Sequence, residues 1–405
     1  MSTLTSRFSQ NENLASLFNG ALIALAFSGM MRGLSSAYIT PYLDAQGFSA
    51  SQIGILTSIA AFLELSLIPL LSMWSDRANR QRRLFRSIVL GYALTALLIG
   101  IFPQEIMLMV GFVVLNMSMN AAFLFGVQLG FSSAMQKGKA NFGHFRTASA
   151  VGFISGNYLV SYLFGMGGYA TIFIASSIAG AAATLFAQGL PVSTIAKEVK
   201  LSTPQPRRKA MYVVFASQFF TLLGIRSGYA FWLLHFRDRL HMDISQVSLV
   251  VVLAGLLEIP FFLYMDRLVK RFKSTQIYIW SAIGLGLGWV MVGAVTGVGW
   301  LILILFYRGM MFGLWNMSIL LVINEQSHPA NVSTNQAWAQ ITIPSLAMLI
   351  GGAPMGSLYE HGSPLMYFGV CATFTVLGGI LLMGGLAWLE KREGNPNQSL
   401  PKQVS

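Results

Sequence analysis

The residues of this chain best placed to do chemistry are arginines and glutamates set inside apolar runs. Arg32 and Glu64 recur 194 positions later as Arg226 and Glu258. Their surroundings recur too: Ser51, Gln52, Ala60 and Leu63 precede Glu64 as Ser245, Gln246, Ala254 and Leu257 precede Glu258. A charge in an apolar helix costs at least about 2–3 kcal/mol, so a couple kept in both copies of a repeat is a functional hypothesis. In general a carboxyl group in such a place is pulled two ways, because burial disfavours its ionised form and a nearby guanidinium favours it. A group balanced between the two can exchange a proton when a solute or an arginine moves. Glu258 is the first candidate for that proton-coupling role and Glu64 the second. Arg32, Arg226 and Arg308 are candidates for binding an anionic or hydroxyl-rich solute, or for acting as counter-ions. Guanidinium suits either task because it stays charged and donates two hydrogen bonds at once. The competing reading of each Arg/Glu couple is a fixed salt bridge between helices.

Uncharged polar groups also interrupt the apolar runs. Asn116 and Asn120 are one turn apart on one helix face, as are Gln336 and Gln340, while Asn157, Gln218 and Asn316 stand alone. Of these, Asn120, Asn316 and Gln340 are carried forward as candidate solute contacts, with interhelical hydrogen bonding as the alternative. Trp315 is a candidate stacking surface, with Tyr38, Trp232 and Trp338 behind it.

The elements that must position these groups follow from composition. The 405 residues are 55% hydrophobic and 10% charged, with a mean hydropathy of +0.63. Twelve apolar segments of roughly bilayer length lie between residues 15 and 389, so the expected class is an all-α membrane protein. If the first segment leaves the membrane near Pro41 and the second enters near Ser51, Arg32 and Glu64 lie level, roughly 13–20 Å deep. The formal charge of +12 is concentrated in alternate connections, at Arg77–Arg86, Lys137–Arg146, Lys197–Lys209 and Arg267–Lys273. That asymmetry obeys the positive-inside rule, which expects both termini in the cytoplasm and gives no role to nucleic acid. The stretch 191–209 is rich in Pro, Ser, Thr and Lys and reads as a cytoplasmic linker between two six-helix halves, 1–190 and 210–405. Repeats of one orientation place solute sites near the midplane between the halves. Cys371 is the single cysteine and the five histidines are scattered, so neither a metal site nor a cofactor is expected.

After the second segment, Asp76-Arg77-Ala78-Asn79-Arg80-Gln81-Arg82-Arg83 resembles the Gly-x-Leu-x-Asp-Arg-x-Gly-Arg-Arg loop of the major facilitator superfamily, with Ser72 and Asn79 where glycines are usual. The resemblance implies the major facilitator fold, with Asp76, Arg77 and Arg80 in a gating loop. Asn141 to Arg146 running into Gly152-Phe153, Glu258-Ile259-Pro260, and Arg308-Gly309 to Phe312-Gly313 are similar to segments of its phenylpropionate-permease and nucleoside–proton-symporter-like branch. That branch often has Arg-Trp in the ninth helix; here Gly288-Trp289 stands there.

The expectation is a secondary transporter that carries a small organic solute by alternating access with proton symport, in the plasma (inner) membrane, for which a monomer suffices. Proton-antiport efflux of sugars or drugs is the alternative within transport. An intramembrane enzyme or a transporter-derived sensor is the alternative outside it. The sequence shows no nucleophile–base set for the enzyme and no stretch for a signalling domain. It also lacks a Gly-x-x-x-x-Gly-Lys-Ser/Thr loop for ATP.

Overall fold

The computed structural model describes residues 20–77, 80–137, 142–189, 209–328 and 331–393, and the described residues are helical with no strand. Helix is what an apolar chain in lipid must form, because only helices satisfy every backbone N–H and C=O within one segment. Ten helices among the described residues are long and apolar enough to cross a membrane. One of them, Phe142–Phe186, is broken at Gly167 and Gly168, the latter at φ +64°, and so makes two spans. With Ile244–Arg271, whose shorter apolar stretch is Ile244–Leu257, the expected twelve are reached.

In chain order these are α1 (Gly20–Ala45), α2 (Ala50–Arg77), α3 (Gln81–Ile101), α4 (Glu105–Lys137), α5 (142–166), α6 (169–186), α7 (Lys209–Leu240), α8 (Ile244–Arg271), α9 (Ser274–Gly293), α10 (Val298–Gln326), α11 (Thr334–His361) and α12 (Pro364–Glu393). The helix ends reached by the 46–49, 241–243 and 362–363 connections are called distal below. Pro69 in α2 and Pro354 in α11 lie inside their helices. Trp338–Thr342 forms a π turn in α11.

The chain divides into two compact units. The first comprises Met1–Leu201, Ala230–Leu256 and Gly352–Glu360. The second comprises Ser202–Tyr229, Leu257–Gly351 and His361–Ser405. The distal ends of α7, α8 and α11 therefore belong with the first repeat. The linker at 191–209 lies outside the described residues except for Lys209.

In the first unit α1 and α5 meet along a glycine seam. A Cβ on Gly29, Gly33, Gly152 or Gly156 would stand 2.0, 2.1, 1.9 or 2.4 Å from a backbone oxygen of the facing helix. Backbones this close are the packing that small residues permit in membranes. In the second unit the glycines of Gly284-Leu-Gly286-Leu-Gly288 divide between two partners. Gly284 and Gly288, one turn apart, face Met311 and Arg308 of α10, and Gly286 faces Ala372 and Val376 of α12.

Candidate functional site

The seam sets the rotation of α1 and hence where Arg32 points. With Gly29 and Gly33 turned to α5, Arg32 is about 100° further round the helix than Gly33. Its guanidinium lies 4.4 Å from the ring centroid of Phe123 on α4. A third side of α1 is tied by hydroxyls: Tyr92 Oη of α3 contacts Ser35 Oγ and Ser176 Oγ and lies 3.1 Å from the Met31 carbonyl. Ser176 of α6 donates to the same carbonyl at 2.8 Å. Tyr92→Phe removes one hydroxyl but leaves both serines able to donate to Met31. We expect a loss of about 1 kcal/mol, read as a melting temperature a few degrees lower with transport retained.

Glu64 of α2 is 6% exposed and accepts a 2.6 Å hydrogen bond from Asn120 Nδ2. Asn120 and Phe123 are three residues apart on α4 and so share a face. One face of α4 thus receives both the carboxylate of Glu64 and the guanidinium of Arg32. Their two contacts, Asn120 and Phe123, stand about one turn apart on α4. Asn116 instead bonds the Phe112 carbonyl of its own helix at 2.9 Å. Tyr38 is fully buried and donates to Asn157 Oδ1 at 2.9 Å, joining α1 to α5.

In the second unit Arg226 is half-buried on α7. Glu258 is in α8, but its side chain lies outside the described residues, as do those of Asp76 and Arg77. Arg80 is exposed, 5.5 Å from the Trp74 ring. Trp315 is 5% exposed in the core of its unit, beside Phe312, and Asn316 is half-buried. Gln340 is exposed on the π turn of α11, a local geometry frequent at functional sites.

Arg308 is 2% exposed. Its guanidinium carbon stands 3.5 Å from the centroid of Trp289 and 5.3 Å from that of Tyr229. Trp289 is itself fully buried, stacked with Phe368 at 5.6 Å and edge-on to Tyr229 at 5.2 Å.

The first unit also holds a distal cluster that a search for charges inside apolar runs does not pick out. Arg237 at the end of α7 bonds Asp44 at the end of α1 at 2.6 Å and Asp238 at 2.8 Å. Beside it, the backbone N–H of Ser51 donates to Glu360 at 2.8 Å, and Gly54 meets Gly352 and Gly356 almost backbone to backbone. The signal was available, since Asp44 and Asp238 are separated by the same 194 positions as the Arg/Glu couples.

Twelve membrane-spanning helices, two repeats and buried charges within spans define an integral membrane transporter. The family model described as Major Facilitator Superfamily matches residues 21–352, and the chain belongs to that superfamily. A comparison with curated proteins finds no match. Among solved structures, the chain is similar to the nucleoside transporter NupG at 15% identity, covering 93% of this chain and 99% of that one with a TM-score of 0.71. It is similar to the POT family transporter PepTSo at 13% identity, 94% and 99% coverage and a TM-score of 0.72. The human organic anion transporter MFSD10 (TETRAN) is similar at 14% identity, 91% and 99% coverage and a TM-score of 0.67. At these identities the likeness establishes the fold.

Proposed function

We propose that the chain is a secondary transporter that moves a small organic solute by alternating access with proton symport, in the plasma (inner) membrane with both termini cytoplasmic. The observation that carries this reading is Glu64, a nearly enclosed carboxylate within an apolar span, held by Asn120 on the α4 face that also receives Arg32. A carboxylate in such surroundings is costly unless its charge is used or matched. Glu258, its counterpart in the second repeat, is the first proton carrier and Glu64 the second. Arg32, Arg226 and Arg308, with Asn120, Asn316, Trp315 and Gln340, are the solute-binding or counter-ion set, and Asp76, Arg77 and Arg80 the gating loop. The names of the similar structures make nucleosides, peptides and organic anions the first solutes to try.

The test begins with a thermal-shift screen of purified full-length protein against those three classes, since a ligand of the folded form raises its melting temperature. Uptake of the ligand found is then measured in proteoliposomes with and without an imposed proton gradient. Glu258→Gln and Glu64→Gln are expected to lose gradient-driven accumulation by tenfold or more, about 1.4 kcal/mol, while exchange of solute for solute persists. Full gradient-driven accumulation by both variants, correctly folded, rejects proton coupling through these residues.

A further inference from the structure

Arg308 is held against two residues of α9, Gly288 and Trp289. Its side chain lies flat along α9. A Cβ placed on Gly288 would stand 2.7 Å from Arg308 Cγ, 3.5 Å from Cδ and 3.5 Å from Nη1, and these are the three nearest atoms. Gly288 is therefore clear of everything nearer than the arginine that crosses it. The guanidinium then reaches the neighbouring ring, 3.5 Å above Trp289. The indole Nε1 of Trp289 is buried with no hydrogen-bond partner among the described residues, so what this ring offers is its π face. The ring is fixed on other sides: Gly228 of α7 approaches so closely that a Cβ there would be 2.2 Å from Cζ2, and Phe368 of α12 stacks with it. A desolvated cation on a tryptophan face is attracted by the negative face of the ring, which offsets part of the cost of holding a charge within a span.

We propose that Gly288 and Trp289 are positioning residues for Arg308, forming a seat in the second unit that admits a flat alkylguanidinium and fixes it over an indole face. The inference rests on the solute-binding or counter-ion role given to Arg308 above. Glycine at 288 leaves the room that the stem of Arg308, arriving from α10, occupies. A lysine at 308 keeps charge and stem but lacks the planar head that stacks on the ring.

Melting of the purified full-length protein tests this without knowledge of the solute. Gly288→Ala is expected to lower the melting temperature by about 5 °C or more with Arg308 present and to have little effect in an Arg308→Ala background. Ethylguanidinium at millimolar concentration is expected to raise the melting temperature of Arg308→Ala, with ethylammonium weaker and wild type unmoved by either. Trp289→Phe keeps a π face and is expected to melt well above Trp289→Leu. Additive effects of Gly288→Ala and Arg308→Ala, or rescue by both cations alike, overturn the seat. Should Arg308→Ala fail to fold, the two Trp289 variants decide, and equal melting of the phenylalanine and leucine forms overturns it. Full solute uptake by a folded Arg308→Ala protein instead removes Arg308 from transport and leaves the seat to the melting data.

Discussion

Replacing Gly152 with leucine is expected to abolish assembly of the first unit. A Cβ at 152 would lie 1.9 Å from the Ala26 carbonyl oxygen, 2.7 Å from its carbon and 3.0 Å from its Cα. All three are backbone atoms in the middle of a helix, so no rotamer change relieves the overlap, and α1 and α5 must separate. Separation forfeits the whole seam, because Gly29, Gly33 and Gly156 make the same kind of approach. It also pulls Tyr38 from Asn157 and turns Arg32 away from Phe123. Overpacking a tight site costs about 1–3 kcal/mol, and a leucine against immovable backbone belongs beyond the top of that range. The measurement is the yield of monodisperse protein and its melting temperature in detergent. Gly91→Ala is the control: a Cβ at Gly91 meets nothing within 4 Å, and this variant is expected to behave as wild type. A monodisperse Gly152→Leu protein melting like the control would show that the seam is not as close as described.

Arg237→Glu is expected to open the distal cluster of the first unit. Arg237 now lies between two carboxylates, Asp44 and Asp238, and its reversal sets three negative groups together. The existing pair is partly exposed, at 27% and 31%, so its loss alone is worth no more than about 1 kcal/mol. Repulsion between like charges in the same partly exposed place adds a comparable amount, about 1 kcal/mol. Neighbouring contacts in the same cluster, Ser51 to Glu360 and the Gly54–Gly356 approach, are then expected to loosen. Under the alternating access proposed above, packed ends of this kind part, so the variant is expected to favour a distally open form. A cysteine placed at Ala50, which is 8% exposed, reports this, because Cys371 is the single native cysteine and is fully buried. Labelling of Ala50→Cys by a maleimide is expected to quicken about tenfold with Arg237→Glu, equivalent to about 1.4 kcal/mol, and to return towards the starting rate when Asp44→Arg is added. Unchanged labelling would make the ion pair a bystander.

The sequence by itself determined the class of protein, because a bilayer leaves an apolar chain almost no alternative to helices of spanning length. It also determined the repeat, since the 194-residue offset is a property of the letters, and it picked out Glu64 and Arg32 because charge in an apolar run stands out without coordinates. What it left undecided was rotation and partner. Gly284, Gly286 and Gly288 alternate along the sequence, yet Gly286 faces a different helix from the other two, since two residues along a helix turn it by about 200°. Arg308 belongs to the tenth helix, yet its guanidinium lies over Trp289 of the ninth, because a long side chain carries its charge well away from its own Cα. Asp44 and Arg237 are 193 residues apart, and neither is conspicuous at a helix end, where charges are common. Only the packing of α1 against the end of α7 made them a pair, and burial and proximity of that kind depend on every helix at once.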